Sequence, residues 1–290
     1  QVVLRIRPTL TGGAEDPSSS SAVGGGAGGS HVGGGGAIVN SMNTNAPAEC
    51  IHAVGACSIS ISAPEGSQAY KTGERGGMYS FSRVSGPTTT QANFFEGTAA
   101  PLVRAMVSGR QSENVIMSYG VTSSGKTYTI EGTQQAPGLI YRAVATLFKE
   151  LDEQQKVGAE VFVSHYEVYN EQIFDLLTNA NPIGGRRCLQ LKEDGAGRPT
   201  IVGLTDVRVP TAEAAMETLR RGNANRSRAE TTLNFSSSRS HSVFAVTLQT
   251  PAAAVKNNDG DQTAKSSSAA GGAGVPGVAF RLSQQQQQQQ

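Results

Sequence analysis

The sequence predicts an α/β fold: a central, mostly parallel sheet with helices on both faces, incomplete at its C-terminal end. Three observations predict it. Short β-branched runs alternate with stretches of helical period. One such run, Asn114 to Tyr119, is apolar enough for a buried strand and runs straight into Gly120. That glycine opens Gly120-Val121-Thr122-Ser123-Ser124-Gly125-Lys126-Thr127, which fits the phosphate-loop pattern G-x-x-x-x-G-K-[ST].

The elements follow in order. Val2 to Arg7 alternates apolar and basic residues and stops at Pro8, a strand with its terminator. Residues 11–37 are almost all Gly, Ser and Ala. They bury too little apolar surface to offset their ordering entropy, so a disordered insertion over about 11–47 is expected. Structure resumes near Cys50. Ser58 to Ile61 alternates as a strand, and Met78 to Phe81 is another, ended by Gly86-Pro87. Thr88 to Thr90 offer N-cap hydroxyls to a helix carrying Phe94, Phe95, Leu102, Val103 and Met106, with Gly109 as its C-cap glycine.

Beyond the phosphate loop, Leu139 to Leu151 has helical period and Glu160 to Tyr169 is strongly β. Glu171 to Leu177 fits a short helical or strand-like segment. Leu189 to Leu191 and Val207 to Val209 are short strands flanking the turn Glu193 to Gly197. Thr211 caps a helix that ends at Gly222, and Ser242 to Leu248 suits a buried strand. The domain is expected over 1–250, a low-complexity loop over 251–277, the start of a further strand over 278–283 and a polyglutamine tail over 284–290.

Bulk properties narrow the function. The net charge of +1 supplies no whole-chain field, so neither nucleic acid nor membrane is an expected partner. No apolar run reaches the ~18–20 residues that span a bilayer. Cys50, Cys57 and Cys188 are scattered and odd in number. A disulfide framework or zinc site does not follow from them, and a reducing interior compartment fits better.

The phosphate loop carries the chemistry. Its glycines let successive amide N–H groups turn inward as an anion nest. Lys126 is spaced to reach β and γ phosphates, and the Thr127 hydroxyl to bind Mg²⁺. A nucleoside phosphate with Mg²⁺ is therefore the expected ligand of this loop.

Tyr119 to Gly132, Tyr-Gly-Val-Thr-Ser-Ser-Gly-Lys-Thr-Tyr-Thr-Ile-Glu-Gly, resembles the kinesin form of this loop. Four further stretches agree in the family's order. They are Arg5 to Pro8 (R-x-R-P), Gly138 to Arg142, His165 to Glu171 with Ile173 to Leu177, and Asn234 to His241. The last matches N-x-x-S-S-R-S-H, the kinesin switch I. The Gly-Val-Thr loop, Phe94 to Thr98 and Leu191 to Asp194 resemble the cytokinetic mitotic kinesins of the spindle midzone. The short Phe148 to Glu160 stretch lacks the long insertion of many of them.

The resemblance implies ATP as the nucleotide, and roles for single residues. Arg5 and Pro8 would line the adenine pocket, and Tyr128 would belong to the nucleotide site with Gly120 to Thr127. Ser237 and Ser238 would reach the γ-phosphate, the attacking water and, through Ser237, Mg²⁺. Asn234 would anchor the loop, and Arg239 would pair with a switch II carboxylate. Read alone, Ser236 to Ser240 is only a polar loop. His241 divides evenly between support and catalysis. Glu167, Tyr169 and Asn170 are mainly structural, with Glu167 placed near the track-binding side. Arg186, Arg187, Lys192 and Arg198 would face acidic tubulin, or else form an ordinary solvated surface.

The acidic D-L-A-G-S-E of kinesins does not occur in these residues, and Asp175 and Asp206 follow mixed sequence. Weak hydrolysis by residues 1–290 is therefore expected. The resemblance implies a motor ATPase that moves on microtubules, in the cytoplasm and cytoskeleton, dimerising only through regions outside this stretch. A non-catalytic nucleotide- or microtubule-binding module is the alternative. Another P-loop class fits less well, because no guanine-reading N-K-x-D is present.

Overall fold

The computed structural model describes residues 1–7, 50–73, 76–121, 123–178, 188–195, 197–233, 240–251 and 278–286. The expected insertion and, apart from Pro251, the loop expected over 251–277 lie outside these; of the tail expected over 284–290, Gln284 to Gln286 instead continue a strand. The chain forms two compact units, Gln1–Thr90 and Gln91–Gln290.

The first unit holds β1 (Val3–Arg5), β2 (Ile51–Val54), β3 (Ser58–Ser62), α1 (Gln68–Lys71), β4 (Gly76–Ser80) and β5 (Arg83–Ser85). β1 pairs in parallel with β5, while β2, β3 and β4 make a separate antiparallel sheet. Alternation explains β3: Ile59 is buried and its serine neighbours are not. Ser67 caps α1, its Oγ accepting the Tyr70 N–H at 3.2 Å.

The second unit opens with α2 (Gln91–Thr98) and α3 (Ala100–Val107). The sequence suggests one helix here. Pro101 has no N–H to continue the ladder, so the chain restarts at Ala99, whose carbonyl takes the N–H groups of both Leu102 and Val103. Then come β6 (Glu113–Gly120), α4 (Lys126–Ile130), α5 (Leu139–Glu153), β7 (Glu160–Tyr169), β8 (Gln172–Asp175), β9 (Cys188–Glu193), β10 (Pro199–Val202), β11 (Val207–Arg208), α6 (Ala212–Leu233), β12 (Ser240–Gln249) and β13 (Val278–Gln286).

Their sheet runs β10-β9-β8-β7-β12-β13-β6, with β11 beside the first half of β7. The α/β architecture stands, but this sheet is not mostly parallel: within it, β13 with β6 is the only parallel pair among the described residues. Hairpins account for two of the antiparallel pairs. Asn170 and Glu171 both take left-handed φ, 48° and 62°, which is the two-residue turn that folds β8 back on β7. The turn 194–198 does the same for β9 and β10. Val207–Arg208, expected to flank that turn, instead pairs with β7.

Burial also places the helices. On β7, Val161, Val163, His165 and Glu167 are buried; on β12, Ser240, Ser242, Phe244, Val246 and Leu248 are. These residues share one face by register. α5 covers it with Leu139, Ile140, Ala143, Val144 and Leu147, a stripe of helical spacing. Each fully buried aliphatic side chain contributes roughly 1.5–3 kcal/mol. On the other face Val115, Met117 and Tyr119 of β6 are 59%, 56% and 59% exposed. Helices α3, α5 and α6 therefore cover one face, not both, among the described residues.

α6 also differs from expectation. It does not stop at Gly222 but continues to Leu233. Gly222 is in the helix because of what it faces: a Cβ there would lie 2.1 Å from His165 Nδ1. The glycine marks close packing of helix on strand rather than a helix end. No helix among the described residues is long and apolar enough to cross a membrane.

Candidate nucleotide-binding site

β6 delivers Gly120 to the edge of a tight loop. A Cβ at Gly120 would lie 2.6 Å from Ser124 Oγ, so a side chain there would force the Ser124 hydroxyl to shift. Ser124 N–H donates to the Val121 carbonyl at 3.2 Å. Ser123 and Gly125 take left-handed φ, 64° and 92°, a backbone conformation of the kind from which anion-binding nests are built. Thr122 lies outside the described residues. Lys126, the first residue of α4, is 6% exposed, and burial pushes its ammonium below the usual lysine range. Its Nζ donates to the Gly120 carbonyl at 2.9 Å and the Val121 carbonyl at 2.6 Å. The charge is thus held inside the loop by two weak acceptors. Thr127 is exposed beside it.

A second tight turn follows. Glu131 and Gly132 N–H groups both donate to the Thr127 carbonyl, and Gly138 N–H to the Glu131 carbonyl, at 2.8, 3.1 and 2.8 Å. Gly132 has φ +78°, and a Cβ there would lie 2.3 Å from the Ala136 carbonyl oxygen. The buried Gln91 amide donates to the Tyr128 carbonyl and, at 3.5 Å, to that of Ala136. This locks the base of α4 to α2.

α6 reaches the same end of the sheet. Asn223 Nδ2 donates to Glu131 Oε2 at 2.9 Å, and Asn225 Nδ2 to the Leu176 carbonyl at 2.8 Å. Arg226 donates through Nε to Glu167 Oε1 at 3.1 Å and through a terminal nitrogen to Ser240 Oγ at 2.9 Å. Beneath them His165 Nε2 and Ser242 Oγ share a hydrogen bond of 2.9 Å. Burial, then the Arg226 charge, lower the His165 pKa to about 3, so its imidazole is neutral. Its Nδ1, turned toward Gly222, has no hydrogen-bond partner among the described residues.

The remaining candidates divide. Arg5 lies on β1 of the first unit, donating to the Thr89 carbonyl at 3.5 Å. Pro8, Asn234, Ser237, Ser238, Arg239, Arg186 and Arg187 lie outside the described residues. His241 opens β12 half-buried. Glu167 corrects an expectation: it is 3% exposed and paired with Arg226 on the helix side, so it presents no carboxylate to a track. Lys192 is exposed on β9, whereas Arg198 is paired with Asp194 at 2.8 Å. Asp175 serves a turn, accepting from Leu177 and Thr205 N–H groups at 2.7 and 2.8 Å. Sequence reasoning missed Arg226 and Asn223, because Gly222 seemed to end their helix.

A strand entering a nested loop, with a buried lysine opening the next helix, defines a P-loop nucleotide-binding fold. A family model described as the kinesin motor domain matches residues 40–269. The chain is 41% identical to Kinesin-like protein 5 of Schizosaccharomyces pombe over 184 residues, covering 62% of the chain and 20% of that protein. It is 38% identical to mouse Kinesin-like protein KIF18A over 58% of the chain and 18% of the relative. It is 34% identical to human Chromosome-associated kinesin KIF4A, over 62% and 15%. The solved structure of a fast kinesin superposes with a TM-score of 0.66 at 23% identity, covering 98% of this chain and 64% of that one. The chain belongs to the kinesin motor domain family. It spans about a fifth or less of the length of these curated relatives.

Proposed function

We propose that this chain forms the nucleotide-binding part of a microtubule motor that couples ATP hydrolysis to movement. The observation that carries this is the closed loop Gly120–Thr127 with the Lys126 ammonium inside it. Two neutral carbonyls are poorer partners for an ammonium than phosphate oxygens, which accept charge-assisted bonds roughly twice as strong. A loop with left-handed backbone at Ser123 and Gly125 and a desolvated cation fits a polyphosphate. In this reading Lys126 holds the terminal phosphates, and the Thr127 hydroxyl and Ser237 hold Mg²⁺, which neutralises phosphate charge when bound. Arg5 and Pro8 serve the adenine, and Tyr128 belongs to the nucleotide site. Ser237 and Ser238 reach the γ-phosphate and the attacking water, while Asn234 anchors their loop and Arg239 pairs with a switch II carboxylate. Family membership supports microtubules as the track and the cytoskeleton as the location; a spindle role is the finer reading.

The 290 residues contain no D-L-A-G-S-E, so we propose that on their own they bind ATP but turn it over slowly. The test is fluorescent-nucleotide titration with Mg²⁺, alongside phosphate release with and without microtubules. Lys126→Ala is expected to weaken nucleotide binding about 100-fold or more, since it removes charged hydrogen bonds of about 1.5–3 kcal/mol each. Unchanged binding by that variant sinks the proposal. Rapid microtubule-stimulated turnover refutes the slow-hydrolysis part alone.

A further inference from the structure

We infer that Arg226 is a positioning residue of the nucleotide site, fixing the head of β12 at the sheet end that carries the phosphate loop. The inference rests on the nucleotide-binding reading above and goes beyond it, because neither motif contains this residue.

Register sets the stage. β13 pairs Gln284 with Ser242 of β12 and Gln286 with Gly120 of β6. Ser240, two residues before Ser242, therefore stands level with Gly120 across the sheet. Two strand spacings separate them, about 10 Å. The chain leaves residues 234–239 at Ser240, so the position of Ser240 sets where that stretch joins the sheet.

Three hydrogen bonds from one helix hold this corner. The Arg226 fork takes Glu167 on β7 with one nitrogen and Ser240 on β12 with another. Three residues earlier on α6, Asn223 takes Glu131, which closes the turn behind the phosphate-loop helix. One helix thus ties the head of β12 to the turn behind the phosphate-loop helix.

The chemistry favours alignment over simple stability. The side chains of Arg226 and Glu167 are only 15% and 4% exposed. A pair so desolvated gains little net folding energy compared with apolar residues of equal volume, and its best-attested use is to specify one arrangement. Arginine's planar fork suits this, because its nitrogens point in fixed and different directions. Neutral His165 sits below and adds no competing charge. Loss of Arg226 should therefore free the head of β12 while leaving the phosphate loop intact. Binding of the terminal phosphate should suffer, and binding of the remainder of the nucleotide should not.

The experiment measures affinities of the full chain for fluorescent Mg-ADP and for a non-hydrolysable Mg-ATP analogue. Wild type, Arg226→Met, Arg226→Lys, Ser240→Ala and Lys126→Ala are compared, with melting temperatures recorded. Arg226→Met is expected to lower analogue affinity at least 5-fold and ADP affinity less than 2-fold. Arg226→Lys should recover the melting temperature more than the analogue affinity, since one ammonium does not reproduce the fork. Ser240→Ala keeps the ion pair and so guards against misfolding; it should show the same selective loss with little change in melting. Equal losses for both nucleotides, or a fall in melting temperature alone, overturn the positioning role. If Lys126→Ala binds as wild type does, the nucleotide reading itself fails, and this inference falls with it.

Discussion

Gly222→Ala is the most discriminating test of how α6 lies on β7. In an ordinary helix the change stabilises by about 0.8–1 kcal/mol, the propensity difference between glycine and alanine. Here the new methyl would stand 2.1 Å from His165 Nδ1, 2.9 Å from Cε1 and 3.0 Å from Cγ. The first distance is roughly 1.3 Å short of ordinary van der Waals contact. The imidazole cannot swing away cheaply, because Nε2 is bonded to Ser242 and Phe244 packs edge-on at 5.7 Å between centroids. The helix must retreat instead. Overpacking of this kind costs about 1–3 kcal/mol, which outweighs the propensity gain. We expect a net loss of about 1–2 kcal/mol, measured as the urea midpoint by circular dichroism. In a His165→Ala background the methyl has room, so the sign should reverse. The coupling in the double-mutant cycle is then about 2–3 kcal/mol. A stabilised Gly222→Ala in the native background would refute this account of the packing.

Two further outcomes follow from the same corner and from the turn behind the loop. His165 is neutral when folded, with a pKa of about 3, and titrates at its ordinary 6.5 when unfolded. Its contribution is therefore complete above pH 6.5 and declines by about 1.4 kcal/mol per pH unit between 6.5 and 3. His165→Phe should flatten this part of the stability–pH curve, and parallel curves for the two proteins would disprove the assignment. Gly132→Ala combines left-handed backbone with a clash against the Ala136 carbonyl. A stability loss of about 2 kcal/mol and weaker nucleotide binding are expected, read by thermal melting and titration.

Strong local patterns were legible in the sequence. The runs Asn114 to Tyr119 and Glu160 to Tyr169 each carry their structure in nearest neighbours, so β6 and β7 are strands as expected; β6, however, was expected to be buried, and Val115, Met117 and Tyr119 are exposed on it. Sheet direction was not legible from apolar runs alone, since buried antiparallel and parallel strands share that composition. The signal lay in Asn170, whose tolerance of left-handed φ permits the hairpin. Gly222 misled for a related reason. Its meaning depends on His165, 57 positions earlier, and no local rule distinguishes a capping glycine from one that admits a ring. Arg226 and Asn223 were hidden by the same misreading. The split of α2 from α3 could have been found from Pro101.

The bare side of β6 has a practical consequence. Val115, Met117 and Tyr119 project at alternate positions into water, forming an oily strip beside the strand that carries the loop. Such strips on soluble proteins are normally covered. Handled as 290 residues alone, the protein should be adhesive, gathering detergent, dye or copies of itself along that strip. Its behaviour in solution will then be governed largely by this exposed strip.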